Sequence, residues 1–367
     1  MVEPIYVPVL PTTRAARVAY SQLDLRVRRR IAPLWTIPPL MGPERLRGRH
    51  PVSDSGVNHE EVRRWLTPRV EHLIEVMDGM AGWVDATHVE HLVEACAPSF
   101  WQLATRSGLR LVTGPERDRT YQRYAADLAF LSGRGLGVRV LVDEASGGLR
   151  TSELADLIDR LCLPPSQIDL LLDIGPVTDT PDASRSALSA LEAMGALAPW
   201  RRVVLTAGAF PRTLEGLDAE PIRSVERHDW RLHGSLHAAR SGFRGRVVFG
   251  DYSVEHVFSA NIPSARRASP QGWGLLRYTT PDRYLVARAP TRGPHHVNRA
   301  RDLARWIVES GSFRGAQGVG HSAGERWLRA CAYGTGPRGS GNAEKWIQVG
   351  HVQHLNFVVK QLGEPRS

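Results

Sequence analysis

Val138-Arg139-Val140-Leu141-Val142-Asp143 and Ile168-Asp169-Leu170-Leu171-Leu172-Asp173 are short runs rich in β-branched and aliphatic residues. Each is too short for a helix and apolar on both alternating positions, as a strand buried on two faces must be. Between them Leu154, Leu157, Ile158 and Leu161 recur at i, i+3, i+4 and i+7, one face of a helix, with Thr151 and Ser152 as candidate caps. Strand, helix and strand at this spacing require a right-handed parallel crossover.

The same unit recurs on either side. Further strand-like runs lie at 6–10, 31–37, 82–85, 109–113, 202–206 and 246–251, which makes eight with the two above. Tyr121, Tyr124, Ala125 and Leu128 mark another helix, and Thr67-Pro68 reads as a cap and first helical position ahead of Val70, Leu73, Ile74 and Met77. Eight strand-helix units close into a (β/α)8 TIM-barrel-like fold; an open doubly wound sheet is the alternative, and the count favours the barrel.

After Asp251 the pattern changes. Runs at 273–279 and 284–289 flank Thr280-Pro281-Asp282-Arg283 and read as a β-hairpin outside the closed sheet. Helical patterns follow at 298–309, 325–333 and 343–362. We expect a barrel over 1–258 and a C-terminal hairpin and helical elaboration over 259–367, packed on one rim. The Pro-, Gly- and Arg-rich stretch 38–58 follows the second strand, where barrel enzymes carry their working loops, and is a candidate lid.

Composition narrows the function classes. The chain of 367 residues has no run of 18 apolar residues and no signal-peptide layout at Met1-Val2-Glu3-Pro4, so a cytoplasmic protein without membrane partners is expected. Cys96, Cys162 and Cys331 are isolated, which argues against zinc or dithiol chemistry. The formal net charge is +9, yet Lys345 and Lys360 are the only lysines, and the arginines are largely scattered, with short clusters such as Arg28-Arg29-Arg30 and Arg266-Arg267. Scattered arginine predicts nucleic-acid binding that is weak at most and salt-sensitive.

Several segments resemble the Beta protein family of phages and bacteria. Tyr6-Val7-Pro8-Val9-Leu10 and Ile31-Ala32-Pro33-Leu34 are similar to its first strand pair. Phe249-Gly250-Asp251-Tyr252-Ser253 resembles its FGDY segment, and Leu276-Arg277-Tyr278-Thr279 its RYT segment. Phe313-x-Gly315, Ser322-x-Gly324, Trp346, His351 and His354 extend the likeness over nearly the whole chain. The family usually has a lysine just after the first strand and an acidic residue soon after, where this chain has Pro11, Thr12 and Ala16; it tends to Asp where this chain has Glu325. The resemblance implies a barrel-like fold and an association with phage biology or phage defence, and no particular reaction.

Candidate site residues follow from the barrel. Asp85, Asp143, Asp173 and Asp251 each stand at or just beyond a predicted strand end, where a barrel gathers single groups toward one volume. We take Asp173 and Asp251 as catalytic candidates, able to share a proton or hold a cation. Asp85, Asp143, Arg277 and Tyr278 are ligand-binding candidates, the arginine as a clamp for phosphate or carboxylate. Each aspartate has a plain alternative as a helix cap, and Arg277 as a structural ion pair. His88/His91 and His351/His354 have an i, i+3 spacing but lack a third ligand, so no metal site is assigned. Gly334-Thr335-Gly336-Pro337-Arg338-Gly339 follows a helix and reads as a connector. No cofactor is identified. Two functions remain open: recognition of a phosphate-bearing or macromolecular ligand (a phage or host macromolecule, or a separately encoded effector), and metal- or carboxylate-dependent hydrolysis of a nucleotide or nucleic-acid phosphoester.

Overall fold

The computed structural model describes residues 3–40, 58–142, 147–212, 222–238, 243, 246–261, 272–314, 322–336 and 339–364. The expectation of a lid at 38–58 and the ligand-binding candidate Asp143 therefore fall wholly or largely outside the described residues.

All eight expected runs are strands: β1 Tyr6–Pro11, β2 Leu34–Thr36, β3 Ala81–Asp85, β4 Gly108–Thr113, β5 Leu136–Leu141, β6 Ile168–Pro176, β7 Arg202–Gly208 and, after an intervening β8 at Ile222–Glu226, β9 Val247–Asp251. They form a closed parallel barrel in the order β1-β2-β3-β4-β5-β6-β7-β9, sealed where Tyr6 pairs with Phe249. β2 is shorter than its apolar run because Pro33 has no N–H to give the ladder, and Ile31 makes only an isolated bridge to Tyr6.

Side chains alternate across each strand. Val7, Val9, Leu34, Trp83, Val112, Leu171, Val204 and Val248 fill the barrel interior. Tyr6, Leu10, Val84, Leu111, Leu170, Leu172 and Phe249 face outward into the helical layer. Gly137 on β5 makes room for Trp83: a Cβ there would stand 2.8 Å from the indole Cδ1 and 2.9 Å from Val112 Cγ2.

Two helix starts differ from expectation. The helix expected to begin at Pro68 runs over His59–Met77, capped by Asn58, with Pro68 inside it. Its buried face (Val62, Leu66, Val70, Leu73 and Met77) is continuous through the proline, and that burial outweighs the lost hydrogen bond. Likewise Thr151 and Ser152 lie within the helix Gly147–Leu161 rather than capping it.

β10 (Trp273–Thr279) and β11 (Arg283–Pro290) form the expected hairpin, and β11 also pairs antiparallel with β8. Residues 222–226 thus leave the barrel half of the chain to complete a three-stranded second sheet. Helices His296–Glu309 and Ala323–Tyr333 pack on that sheet around Tyr278, Ile307, Leu328 and Trp346. The last helix, Ala343–Gly363, lies between β10 on one side and β1 and the helix Arg14–Ser21 on the other. Its Val352, Leu355, Val358 and Val359 belong to the main core, so it serves as the outer layer over β1. No helix among the described residues is long and apolar enough to cross a membrane.

Candidate functional site

At the carboxyl ends of the strands the inward positions turn polar. Asp85 ends β3, Arg139 points inward from β5, and Asp173 faces it from β6. Arg139 donates Nη1 to Asp85 Oδ2 at 2.7 Å, and Nε and Nη2 to Asp173 Oδ2 at 3.1 and 2.5 Å. The Tyr252 hydroxyl also donates to Asp173 Oδ2, at 2.5 Å, and Arg139 Nη2 reaches Asn261 Oδ1 at 3.1 Å. Arg117, from the turn after β4, lies 3.1 Å from both Asp85 oxygens and 3.1 Å from Glu90 Oε2. Tyr252, Val257 and Ala260 join the interior cluster, so the segment after β9 closes over this mouth. His88 contacts the Asn261 carbonyl at 2.5 Å from the opposite side.

The electrostatics follow from burial and pairing. Burial opposes ionisation of Asp85, but Arg117 and Arg139 outweigh it and hold the carboxyl well below its usual range. Burial lowers the His88 imidazole, favouring the neutral ring. Burial also raises the Tyr252 phenol, so it stays protonated and donates.

Asp251 does not join this cluster. β9 turns Val248 and the following Tyr252 inward, which puts Phe249 and Asp251 on the outer face. There Asp251 accepts from the Tyr6 hydroxyl at 2.5 Å and the Ser253 amide at 2.8 Å, and lies 2.9 Å from His354 Nε2. Burial works against its charge, but His354, Tyr6 and Ser253 pull the carboxyl below its ordinary range. His354 Nδ1 in turn lies 2.8 Å from Thr279 Oγ1. Three positions earlier on the same helix, His351 sits between Ser253 Oγ at 2.9 Å and Glu255 Oε1 at 3.0 Å. The histidine pair therefore serves two separate contacts. Among the described residues no three His, Cys, Asp or Glu side chains gather in a metal-holding group.

Tyr278 is buried, donates to Glu325 Oε1 at 3.2 Å and accepts from the Arg314 amide at 2.9 Å. Arg277 is different. It is half-buried beneath the Phe210 ring, its guanidinium 5.4 Å from the centroid. Among the described residues Nη1 donates to the Leu275 carbonyl alone, at 3.1 Å, and Nε is buried without an acceptor. Burial pulls this guanidinium down to about 10, with Glu255 only partly opposing. Nearby, Arg212 stacks 4.4 Å over Phe258, which is 48% exposed at the same rim.

A protein-family model described as Beta protein matches residues 6–360. The chain belongs to the Beta protein family. No curated protein matches it in sequence. Among solved structures it is similar to DHODH from Eimeria tenella, crystallised with ferulenol, at 14% identity and a TM-score of 0.28, over 51% of this chain and 56% of that one. The chain thus spans little more than half the length of that structure.

In this Beta family chain the family-like segments meet along the seam between barrel and second sheet. Asp251 of the FGDY-like segment reaches Thr279 of the RYT-like segment through His354. Tyr278 reaches Glu325 of the Ser-x-Gly step, and Phe313 lies 5.3 Å from the Tyr278 ring. Sequence reasoning passed over Arg139, Arg117 and Tyr252, which organise the mouth, and Arg227, which is fully buried among Trp230, Tyr284 and Phe357. A signal for Arg139 was present: a charged residue in an otherwise apolar, doubly buried strand needs a carboxylate partner.

Proposed function

We propose that this Beta family barrel recognises a phosphate-bearing ligand at its carboxyl rim, with Arg277 as the principal anion contact. The observation that carries this reading is the Arg277 guanidinium itself, half-buried and, among the described residues, with one hydrogen bond to its own strand and an Nε without an acceptor. A desolvated guanidinium short of acceptors gains strongly from a phosphate oxygen. Phe210 packs against it, and the Arg212–Phe258 stack adds aromatic and cationic surface after the strand ends of β7 and β9.

Binding fits the mouth better than hydrolysis. Asp85 and Asp173 are engaged by Arg139 and Arg117, and the Asp85 carboxyl, held well below its usual range, is a poor general acid at neutral pH. In this reading Asp85 and Asp173 hold the mouth rigid beneath the ligand, and Tyr278 braces the strand that presents Arg277. Family membership supports a setting in phage biology or phage defence, with a phage or host macromolecule or a separately encoded effector as the carrier of the phosphate.

The test is titration of the full chain with a short single-stranded oligonucleotide as the phosphate-rich probe, at two salt concentrations. Weak, salt-sensitive binding that is lost in Arg277→Gln, with thermal unfolding unchanged, supports the reading. Absence of binding at low salt, or binding indifferent to Arg277→Gln, overturns it.

A further inference from the structure

The opposite end of the barrel carries a second concentration of arginine. Asp169, at the amino end of β6, is fully buried and accepts from Arg201 Nε and Nη2 at 2.7 and 2.5 Å, Arg202 Nη1 at 3.3 Å and Trp83 Nε1 at 3.0 Å. Arg110 Nη1 approaches it at 3.9 Å. One carboxylate therefore faces three guanidinium groups. Arg110 Nη1 and Arg202 Nε are buried with no acceptor among the described residues. Burial, together with Arg201, Arg202 and Arg134, pulls Arg110 down to about 10 although Asp169 opposes it.

Beside this cluster lies a cavity of about 620 Å³, within the size range of small-molecule sites. Arg201, Arg202 and Arg246 line it together with Glu3, Trp200 and Phe243. Arg246 is held by Glu3 at 2.8 Å, so among the described residues these four arginines share two carboxylates. Gly195, also on the wall, ends a π-helical turn over Leu191–Gly195, and Phe243 lies against its bare Cα side. Such turns are frequent where a helix has been adapted to bind something.

We propose that this amino-face cavity binds a small phosphate ester with a planar apolar body, of nucleotide size. The phosphate sits among Arg201, Arg202 and Arg246, where the positive charge exceeds its carboxylate partners. The planar part lies on the Trp200 and Phe243 side. Glu3 competes with the phosphate for Arg246, so an incoming phosphate displaces a surface ion pair rather than a buried one. This site is independent of Arg277, which lies at the other end of the barrel.

The test is calorimetric titration of the full chain with a nucleoside diphosphate and, separately, with inorganic pyrophosphate. We expect both to bind, the nucleoside diphosphate more tightly. Arg246→Ala should weaken binding roughly tenfold, the size of one charge-assisted hydrogen bond. Glu3→Gln should tighten it, and Arg277→Gln should leave it unchanged. The Arg246 and Glu3 side chains are 59% and 53% exposed, so neither variant threatens folding. Failure of both probes to bind, indifference to Arg246→Ala and Glu3→Gln, or loss of binding in Arg277→Gln would overturn the proposal.

Discussion

Arg139 and Asp85 meet across an intervening strand: the guanidinium on β5 lies 2.7 Å from the carboxylate on β3, with β4 between them in the sheet. The curvature of the closed barrel brings the inward side chains of two such strands within hydrogen-bonding reach. Because the same guanidinium holds Asp173, its removal takes the cation from one buried carboxylate and leaves the other, Asp85, with Arg117 alone among the described residues. Arg139→Met should cost about 3–5 kcal/mol of stability, the range for breaking a buried pair by deleting one partner. Arg139→Lys should recover little, since one ammonium cannot reproduce the forked contacts to both aspartates. Urea unfolding midpoints of the three proteins give the comparison.

Asp85 also sets a pH dependence. Its folded carboxyl titrates well below the unfolded value of about 4, so its contribution is complete above that value. The contribution fades as the pH falls from there toward the depressed folded value. Stability should therefore decline on acidification below about pH 5, and Asp85→Asn should decline less steeply over that window. Parallel slopes in a series of unfolding curves against pH would remove Asp85 as the source.

Asp251 braces a seam. Replacing it by Asn keeps its shape but removes the charge opposite His354 and, with the amide oxygen kept toward Tyr6 and Ser253, turns the amide nitrogen toward His354 Nε2. A loss of about 2–4 kcal/mol is expected, as for a buried charged hydrogen-bond partner. Oligonucleotide binding by the protein that remains folded should be unchanged. A variant of native stability that no longer binds would put Asp251 back among ligand contacts.

Gly137→Ala offers a test of interior packing. The added methyl would come within 2.8 Å of Trp83 and 2.9 Å of Val112, in a layer with strands on every side. Overpacking of this kind costs about 1–3 kcal/mol. Pairing it with Trp83→Phe should recover part of the loss, and a double-mutant cycle measures how much.

The barrel was legible because doubly buried parallel strands leave uninterrupted apolar runs, and eight such runs at regular spacing admit few other closures. β8 was not legible. Ile222-Arg223-Ser224-Val225-Glu226 is an edge strand of mixed polarity whose partner, β11, lies about sixty residues further on. Pro68 misled for a local reason, since a favoured first position of a helix is also tolerated inside one when packing is strong enough. At the rim, strand ends pointed correctly to Asp85 and Asp173 as neighbours of the mouth. They could not show that Asp251 sits one step out of phase, on the outer face. That distinction depends on the register of β9, which a run apolar on both faces does not encode.

The last helix has a consequence for how the chain comes to be folded during synthesis. Val352, Leu355 and Val358 cover β1, which is made long before them, and His354 bonds to Tyr6 across 348 positions of sequence. Strand β1 must wait, with this part of its outer face bare, until synthesis has passed the helix that covers it. Contacts this distant in sequence favour slow folding. A nascent chain stalled short of residue 343 should accordingly attract chaperones by the exposed wall of β1.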